Sequence, residues 1–273
     1  MLPDDAFEIM IVIDDLTFSY GDGKQLFSRF SLRLGTGQAW SIVGASGCGK
    51  TTLLLLIAGM ISPESGEIRV AGEKITRARP RTGLVLQDHG LLPWATVRKN
   101  TELGLAIRKK YGPDGVHAPR DMETNDTRLS ELVDYWLRWL GISDHQHKYP
   151  AELSRGQRQR AAIARTLVLE PDLLLMDEPF SALDAPIREE LQQVMNSFHQ
   201  ESGLTSVTVT HDIEEAVVLG EKILVLTNDV NRTPVVIENS FHGRIDKRND
   251  PKFIARCDEL RKTISENTNT SNS

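Results

Sequence analysis

A glycine-rich segment near residue 50 places a lysine and two threonines at a spacing that suits phosphate binding. Its pattern is G-x-x-x-x-G-K-[ST], and it consists of Gly44, Ala45, Ser46, Gly47, Cys48, Gly49, Lys50, Thr51 and Thr52. In such a loop the glycines let backbone N–H groups surround phosphate oxygens, and the positive end of the next helix adds to the attraction. We expect Lys50 to reach the β- and γ-phosphates of a nucleotide and Thr51 to ligate Mg²⁺. The alternative is a chance glycine-rich turn.

Two carboxylates follow a hydrophobic segment later in the sequence. Residues 173–176 read Leu-Leu-Leu-Met, and Asp177 and Glu178 come next. A strand buried on both faces would bring these carboxylates to the carboxyl edge of its sheet, beside the phosphate loop. Asp177 would then hold Mg²⁺, directly or through water, and Glu178 would polarise an attacking water. Without a phosphate loop, an acidic pair after a strand is more often a solvated loop.

The segments around these residues alternate between strand and helix patterns. A strand candidate at 39–43 leads into the phosphate loop, and an apolar helix at 50–60 follows it. The later segments are helix 157–169, strand 173–176, helix 187–199, strand 206–210, helix 212–219 and strand 223–226. Such alternation predicts an α/β fold with a mainly parallel sheet that is covered on both faces.

Composition limits the classes of function. The 273 residues are 40% hydrophobic and 26% charged, with a formal net charge of -6, which argues against nucleic acid as a main partner. Cys48 and Cys257 are the only cysteines, and two isolated thiols suit a reducing cytoplasm better than a disulfide framework. The acidic N-terminus lacks the basic start of a secretion signal. The longest apolar run, 53–61, is shorter than the ~20 residues of a membrane span, so we expect no bilayer crossing.

A further segment makes the sequence more specific than a general phosphate-loop protein. Residues 153–157 read Leu-Ser-Arg-Gly-Gln and resemble Leu-Ser-Gly-Gly-Gln, the signature of the ATP-binding cassette family. Other motifs of that family occur in the family's order between residues 9 and 227. The resemblance implies a phosphate-loop NTPase core with a mainly parallel sheet, an N-terminal antiparallel β subdomain, and a helical signature subdomain at about 95–168.

Three of the additional motifs are single residues to which the resemblance assigns roles. Tyr20 lies where the family has an aromatic residue that stacks on adenine. Gln87 follows a strand as the family's glutamine does and should meet Mg²⁺ or the attacking water, and His211 resembles the switch histidine. Each residue could also have a simpler structural role: a packing aromatic for Tyr20, a solvated strand end for Gln87 and a neighbour of a helix cap for His211.

The signature and the segment 181–184 imply a site that is shared between two subunits. By resemblance, the Ser154 hydroxyl and the Gly156 backbone approach the γ-phosphate of ATP held by a second subunit, and Gln157 completes the predicted contact. The segment ending in Asp184 resembles the loop that crosses between subunits. Ser154 could alternatively cap the helix that follows it. Arg155 replaces the family's usual glycine, and we expect it to lie in solvent, the alternatives being contact with a phosphate or with the transporter.

The resemblance therefore implies an ATP-hydrolysing subunit of a transporter, with ATP and Mg²⁺ as its cofactors. Two copies would form a homodimer on the cytoplasmic side of the membrane, bound peripherally to separate permease subunits. An extracellular or periplasmic substrate-binding protein would be an indirect partner, and nucleic acid would not be one. Alternatives are a soluble cassette ATPase of repair or translation, and an exporter ATPase whose membrane domain is a separate chain. A phosphate-loop kinase or GTPase would leave residues 153–157 without a role.

The segment after Gln87 refines this interpretation. Residues 87–94 read Gln-Asp-His-Gly-Leu-Leu-Pro-Trp and resemble the corresponding stretch in importer ATPases for nitrate, sulfonate and taurine. In that group this stretch helps to form the groove that receives a helix of the membrane subunit. Leu91, Leu92 and Trp94 would then be docking residues, although ordinary core residues beneath a loop are the alternative.

Two further expectations concern the chain's end and the phosphate-loop thiol. The predicted cassette covers 1–240, and a short extension covers 241–273, with an amphipathic helix at 250–264 and a disordered tail from Glu266. Cys48 precedes a helix start, where the helix dipole lowers a thiol's pKa. It is therefore either a reactive thiol that bound nucleotide protects or a small inert filler.

Overall fold

The computed structural model describes residues 8–21, 23–122, 126–181 and 183–269, and these form ten strands and seven α-helices. The strands are β1 (Ile9–Ser19), β2 (Gln25–Gly35), β3 (Ala39–Gly44), β4 (Ser65–Val70), β5 (Glu73–Lys74), β6 (Thr82–Val85), β7 (Leu173–Asp177), β8 (Thr205–Val209), β9 (Lys222–Leu226) and β10 (Val235–Glu238). The helices are α1 (Lys50–Ile57), α2 (Val97–Tyr111), α3 (Asp126–Trp139), α4 (Arg155–Leu167), α5 (Ala185–Ser202), α6 (Ile213–Leu219) and α7 (Pro251–Asn269). Ala182, in the segment predicted to cross between subunits, lies outside the described residues.

The central sheet has six strands in the order β10-β9-β3-β8-β7-β6. All neighbouring pairs are parallel except β10 with β9. Because β3 and β7 both lie beside β8, the phosphate loop after β3 and the carboxylates after β7 emerge at one sheet edge. The predicted mainly parallel sheet is confirmed, and the predicted neighbourhood of these two segments follows from its strand order.

A second sheet contains the N-terminal strands in the order β2-β1-β4-β5 and is antiparallel throughout. The alternating apolar residues of β2 bury Phe30 and Leu34, while the intervening Arg33 is exposed. That buried face joins one apolar core with α1 and the central sheet, and Phe27 is fully buried within it. The antiparallel N-terminal subdomain is thus present as the resemblance implied.

A helical region follows β6 and packs on the other side of the central sheet. Residues of α3 that share a helical face, among them Val133, Trp136 and Leu137, are buried in a core with α4 and α5. Arg108 of α2 is buried and donates hydrogen bonds to the carbonyls of Leu169 (2.8 Å) and Pro80 (2.6 Å). This region corresponds to the helical subdomain expected at about 95–168, and it places the start of α4 at the surface.

The C-terminal extension packs against the cassette through a third apolar core. Phe253, Cys257 and Leu260 of α7 are buried there with residues of α6 and β9. The predicted disordered tail from Glu266 is wrong as far as Asn269, because α7 continues to that residue. Asn, Ser and Thr are poor helix formers, but a helix already nucleated by packed turns propagates at low cost. Residues 270–273 lie outside the described residues.

A buried carboxyl group in α6 should make stability depend on pH. Glu215 is 2% exposed, and burial, with Asp212 adding, raises its pKa from 4.5 to about 7, while hydrogen bonds from Thr210 and Gln192 oppose this change. The folded protein therefore binds this proton more tightly than the unfolded chain. Stability is lost as pH rises from the unfolded pKa through the folded one, by about 3 kcal/mol at about 1.4 kcal/mol per pH unit.

We expect Glu215→Gln to remove this part of the pH dependence. Relative to the wild type, the variant should gain stability as pH rises from about 4.5 to 8, because glutamine does not ionise in the buried site. Denaturant unfolding at several pH values measures the difference. Glu214→Gln, at an exposed neighbouring carboxylate, is the control and should follow the wild type. Parallel stability curves for wild type and Glu215→Gln would contradict the prediction.

Candidate nucleotide-binding site

The phosphate loop joins the end of β3 to the start of α1 and requires a glycine at its first position. Gly44 has a φ of 153°, and a Cβ atom there would lie 2.4 Å from the Leu226 carbonyl oxygen and 2.7 Å from Cys48 Sγ. Asn231 anchors the loop, because its buried side-chain amide donates hydrogen bonds to the carbonyls of Cys48 (3.1 Å) and Leu26 (3.1 Å). The loop is therefore held by β9 and the residues that follow it.

Lys50 lies inside this loop. Its side chain is 8% exposed, and Nζ donates hydrogen bonds to the carbonyls of Gly44 (2.9 Å) and Ala45 (3.0 Å). The ammonium group thus stays beside the loop backbone, where phosphate oxygens of a nucleotide could replace the carbonyls as acceptors. Lys24 approaches from the opposite side, with Nζ donating to the Gly47 carbonyl at 3.1 Å. The sequence patterns did not indicate Lys24, because no motif marks it.

Two oxygen ligands for a cation meet where β7 ends. Thr51 Oγ1 donates a hydrogen bond to Asp177 Oδ1 at 3.2 Å, and Asp177 is 6% exposed. Burial raises the pKa of Asp177, and the nearby Glu178 charge adds to the rise, whereas the Thr51 hydrogen bond and the Lys50 charge oppose it. A buried carboxylate beside a hydroxyl is a suitable donor set for Mg²⁺, a hard cation that prefers oxygen.

Two of the predicted catalytic residues, Gln87 and His211, contact the same oxygen atom of the third, Glu178. Gln87 Nε2 donates a hydrogen bond to Glu178 Oε2 at 3.2 Å, and His211 Nδ1 lies 3.1 Å from the same oxygen. Glu178 has a φ of 45°, which is uncommon for a residue with a side chain and often marks functional sites. The Gln87 side chain comes from the end of β6, Glu178 from the end of β7 and His211 from the end of β8.

Glu178 and the phosphate loop border a groove of about 300 Å³, which is large enough for part of a nucleotide. Its lining includes Tyr20, Lys24, Gly49, Lys50, Thr51 and Glu178. Tyr20 is 46% exposed, and its hydroxyl lies 3.1 Å from Thr52 Oγ1, so the ring stands at the rim beside the phosphate loop. The tyrosine is therefore not a simple core aromatic.

The signature residues lie at the start of α4 and make contacts within their own chain. Ser154 Oγ accepts a hydrogen bond from the Gln157 backbone N–H (3.2 Å), and Gln157 Oε1 accepts one from the Ser154 N–H (2.9 Å). Ser154 therefore does cap the helix. Gly156 is buried, and a Cβ atom there would lie 2.7 Å from Ile187 of α5. Arg155 is exposed, in agreement with the expectation that it lies in solvent.

Asp184 and Cys48 are the two remaining residues of the predicted site. Asp184 precedes α5, and its backbone carbonyl accepts the first helical hydrogen bond, from Arg188, at 2.9 Å. Cys48 is 1% exposed, and burial raises the pKa of its thiol, with Lys50 opposing the rise. Of the two alternatives for Cys48, its burial and the raised pKa of its thiol favour the inert filler. Cys48 instead fills space beneath Gly44.

Comparison with known proteins decides the family. Residues 27–181, which include the phosphate loop, the signature and both carboxylates, match the family described as ABC transporter. The chain belongs to the ABC transporter family. As a member of that family, this ABC protein binds ATP and hydrolyses it. Among the described residues, no helix is long and apolar enough to cross a membrane.

Several import ATP-binding proteins are similar to this ABC chain. It is 43% identical over 198 residues to the nitrate import ATP-binding protein NrtC of Synechococcus elongatus, covering 72% of this chain but only 28% of that relative. It is 36% identical to the aliphatic sulfonates import protein SsuB of Bacillus cereus, covering 80% of each chain. It is also 36% identical to the taurine import protein TauB of Shigella flexneri, covering 90% of this chain and 93% of that one.

Solved structures agree with the fold. Clostridium perfringens cbiO1, described as part of the ABC transporter complex cbiONQ, has a TM-score of 0.72 and 25% identity, covering 93% of this chain and 96% of that one. The cassette MJ0796, solved as a dimer in a post-hydrolysis state with ADP and Pi, has a TM-score of 0.70 and 27% identity, covering 84% and 98%. The predicted phosphate-loop ATPase fold is thus confirmed.

Proposed function

We propose that this chain is the ATPase subunit of an importer, and that hydrolysis is carried out by water polarised by Glu178. The observation that carries the proposal is the convergence of Gln87 and His211 on Glu178 Oε2. A carboxylate between an amide donor and an imidazole is held in one position and accepts a proton from an adjacent water. Lys50 would bind the β- and γ-phosphates in the same groove, and Tyr20 would stack on the adenine at its rim.

Asp177 and Thr51 are the groups that would hold Mg²⁺, with Gln87 at the edge of the same space. When bound, Mg²⁺ would neutralise charge on the phosphates. Burial raises the pKa of Asp177, and the neighbouring Glu178 adds a second negative charge beside it. A divalent cation would supply the positive counter-charge, while the Thr51 hydroxyl, 3.2 Å from Asp177 Oδ1, adds a second oxygen ligand.

The site would be completed by a second copy of the chain. The residues that line the groove around Lys50 come from the β1–β2 region, the phosphate loop, the start of α1 and Glu178, and none of 153–157 is among them. Ser154 is exposed just before the start of α4, and the buried Gly156 lies in the first turn of that helix. In a homodimer these residues and Gln157 would face the ATP of the partner, and Asp184 would lie at the crossing between subunits. A dimer in the related cassette MJ0796 supports this arrangement.

The transported substrate is proposed to be a small anion of the nitrate, sulfonate or taurine type. The support is the names of the relatives that share 36–43% identity with this chain. The chain would bind separate permease subunits from the cytoplasmic side of the membrane, with a substrate-binding protein acting on the opposite side. Neither the exporter alternative nor the soluble repair or translation alternative has support among these relatives.

The surface for the permease would include Trp94. Its side chain is 75% exposed, whereas Leu91 packs into the apolar core beside it. The loop that presents Trp94 is held in place by the fully buried Asn100, whose Oδ1 accepts from the Leu92 N–H (2.7 Å) and whose Nδ2 donates to the Leu92 carbonyl (3.2 Å). A large aromatic on a rigid loop is a suitable anchor for a partner helix.

Trp94→Ala is expected to weaken assembly with the permease by about 2 kcal/mol, roughly 30-fold, because it removes that anchor. ATP binding and the melting temperature of the isolated chain should hardly change. Co-purification with the permease and thermal unfolding of the isolated chain measure the two effects. Trp94→Phe should retain most of the assembly, and Ile254→Ala, at an exposed site on α7, should retain all of it. Destabilisation by about 3–5 kcal/mol would instead identify Trp94 as a core residue.

The function is tested by reconstitution. The chain is placed in proteoliposomes with the permease and the binding protein of a nitrate, a taurine or an alkanesulfonate importer, and ATP hydrolysis is measured with the matching anion. We expect one of these anions to stimulate hydrolysis and to accumulate on the side opposite the binding protein. Stimulation by DNA or ribosomes, with none by any anion, would overturn the importer proposal in favour of the soluble alternative.

A further inference from the structure

Two histidines and a glutamate lie close together at the edge of the central sheet opposite the phosphate loop. His199 lies near the end of α5, Glu221 directly precedes β9, and His242 follows β10. Because β9 and β3 are parallel, their first residues lie at the amino edge of the sheet, whereas the phosphate loop follows the carboxyl end of β3. The cluster is therefore separate from the groove that contains Lys50.

The distances within the cluster are close to those of a metal site. His199 Nε2 lies 3.7 Å and His242 Nδ1 lies 3.5 Å from Glu221 Oε1. One ligand atom from each residue can be chosen so that all lie within 4.8 Å of one another. Tetrahedral Zn²⁺ with ligands at about 2.0–2.2 Å separates them by about 3.4 Å. A small closing movement of the side chains would thus produce coordination.

A hydrogen bond to the backbone orients the His199 ring so that it could bind a metal ion. His199 Nδ1 lies 2.8 Å from the Leu204 carbonyl oxygen, which can only accept, so Nδ1 carries a proton and Nε2 is the lone-pair nitrogen of the neutral ring. Metal-bound histidines commonly donate their other N–H to a carbonyl or carboxylate in this way. The Glu221 carboxylate is similarly oriented, since its second oxygen accepts a hydrogen bond from the Ala39 N–H at 3.3 Å.

The His242 ring and an adjacent cavity complete the arrangement. The side chains of His199 and His242 are 11% and 12% exposed, whereas that of Glu221 is 41% exposed and opens the cluster to solvent. A cavity of about 20 Å³ borders both imidazoles, which is sufficient for one water molecule. That water could supply the fourth ligand that three protein ligands leave open.

We propose that His199, Glu221 and His242 form a binding site for a divalent transition metal ion, with Zn²⁺ as the best-suited ion. Two imidazoles and one carboxylate form a donor set that suits Zn²⁺ and is poorly suited to Mg²⁺, which prefers oxygen alone. The site joins α5, the start of β9 and the beginning of the C-terminal extension. A bound ion would therefore fasten the extension to the cassette and stabilise the folded chain.

Metal titration of the full chain, first freed of metal with a chelator, tests the proposal. Calorimetry with Zn²⁺ should show one site that persists when Mg²⁺ is in excess, and the melting temperature should rise. Co²⁺ should give the absorption spectrum of a tetrahedral site. His242→Gln and His199→Gln should each weaken binding by about 100-fold or more, because each removes a ligand. His147→Gln, at an exposed histidine outside the cluster, should bind as the wild type does.

Further variants distinguish this site from zinc binding at the nucleotide site and from a loss of folding. Zn²⁺ could bind at the nucleotide site through His211, so His211→Gln must retain the stoichiometry and affinity of the wild type. Glu221→Gln keeps an oxygen for the Ala39 N–H but loses the charge, and it should fold normally and bind Zn²⁺ weakly. The proposal is overturned if Zn²⁺ binding is absent, or equally strong in the His242→Gln variant. It is also overturned if adding Zn²⁺ to the metal-free wild type leaves its melting temperature unchanged.

Discussion

Replacing Glu178 with glutamine is expected to lower ATP hydrolysis by about 10²–10⁴-fold, because the variant loses the charge that accepts a proton from water. The side chain keeps its size and an oxygen that can accept from Gln87 Nε2, which lies 3.2 Å from Glu178 Oε2 in the native chain. Lys50 and Asp177 are unchanged, so ATP and Mg²⁺ should still bind. The variant should therefore accumulate as a nucleotide-bound dimer.

Phosphate release and size-exclusion chromatography with ATP measure these two effects. Glu201→Gln, at an exposed position of α5, removes the same charge far from the phosphate loop and should hydrolyse ATP at the native rate. Native phosphate release from Glu178→Gln would assign water activation to another group. Loss of ATP binding would show that Glu178 serves in binding rather than in proton transfer.

A substitution at Ser154 is expected to abolish hydrolysis without affecting the ATP affinity of a single chain. Ser154→Arg would place a long cationic side chain between the signature of one subunit and the ATP of the other. In a mixture with Lys50→Ala, a mixed dimer contains one site with both changes and one site with neither. Hydrolysis should therefore return in the mixture, from at most one of the two sites of each mixed dimer.

The helix cap formed by Ser154 requires a matched control. Loss of an N-cap costs about 0.5–2 kcal/mol, so Ser154→Arg could lose activity through the stability of α4 alone. Ser154→Asp retains a capping oxygen for the Gln157 N–H but sets a negative charge against the partner's phosphates. It should melt like the wild type and still fail to hydrolyse ATP. Native hydrolysis by Ser154→Asp, or no recovery in the mixture, would place the signature outside the partner's site.

Local patterns were sufficient for the elements that carry the phosphate loop and the acidic pair. Five consecutive buried residues of β7 end at Asp177, and a fully apolar strand leaves no ambiguity of face or register. Ser154 is a candidate cap of the helix predicted at 157–169, and it does cap α4, which begins two residues earlier, at Arg155. The exposed edge strands β5 and β10 were harder to predict from the sequence. The sequence patterns did not indicate β5 or β10, because two or four residues with an exposed face carry little periodic signal.

Burial and long-range contact were decided by the tertiary structure. Cys48 stands at a helix start, which favours a low pKa, but the strands that enclose it remove its solvent and raise the pKa instead. Tryptophan is a large apolar residue that is often buried in protein cores. The side chain of Trp94 is exposed because of the conformation of its loop, which hydrogen bonds to Asn100 hold in place.

The family and the fold class could be predicted from the amino-acid sequence alone, because the phosphate loop and the signature are short runs with fixed internal spacing. The meeting of Gln87 and His211 at the same oxygen of Glu178, and the position of Glu221 between His199 and His242, could be seen only in the folded chain. Those residues are far apart along the chain. Their proximity depends on strand order, which no local spacing encodes, since parallel strands require long crossovers between neighbours.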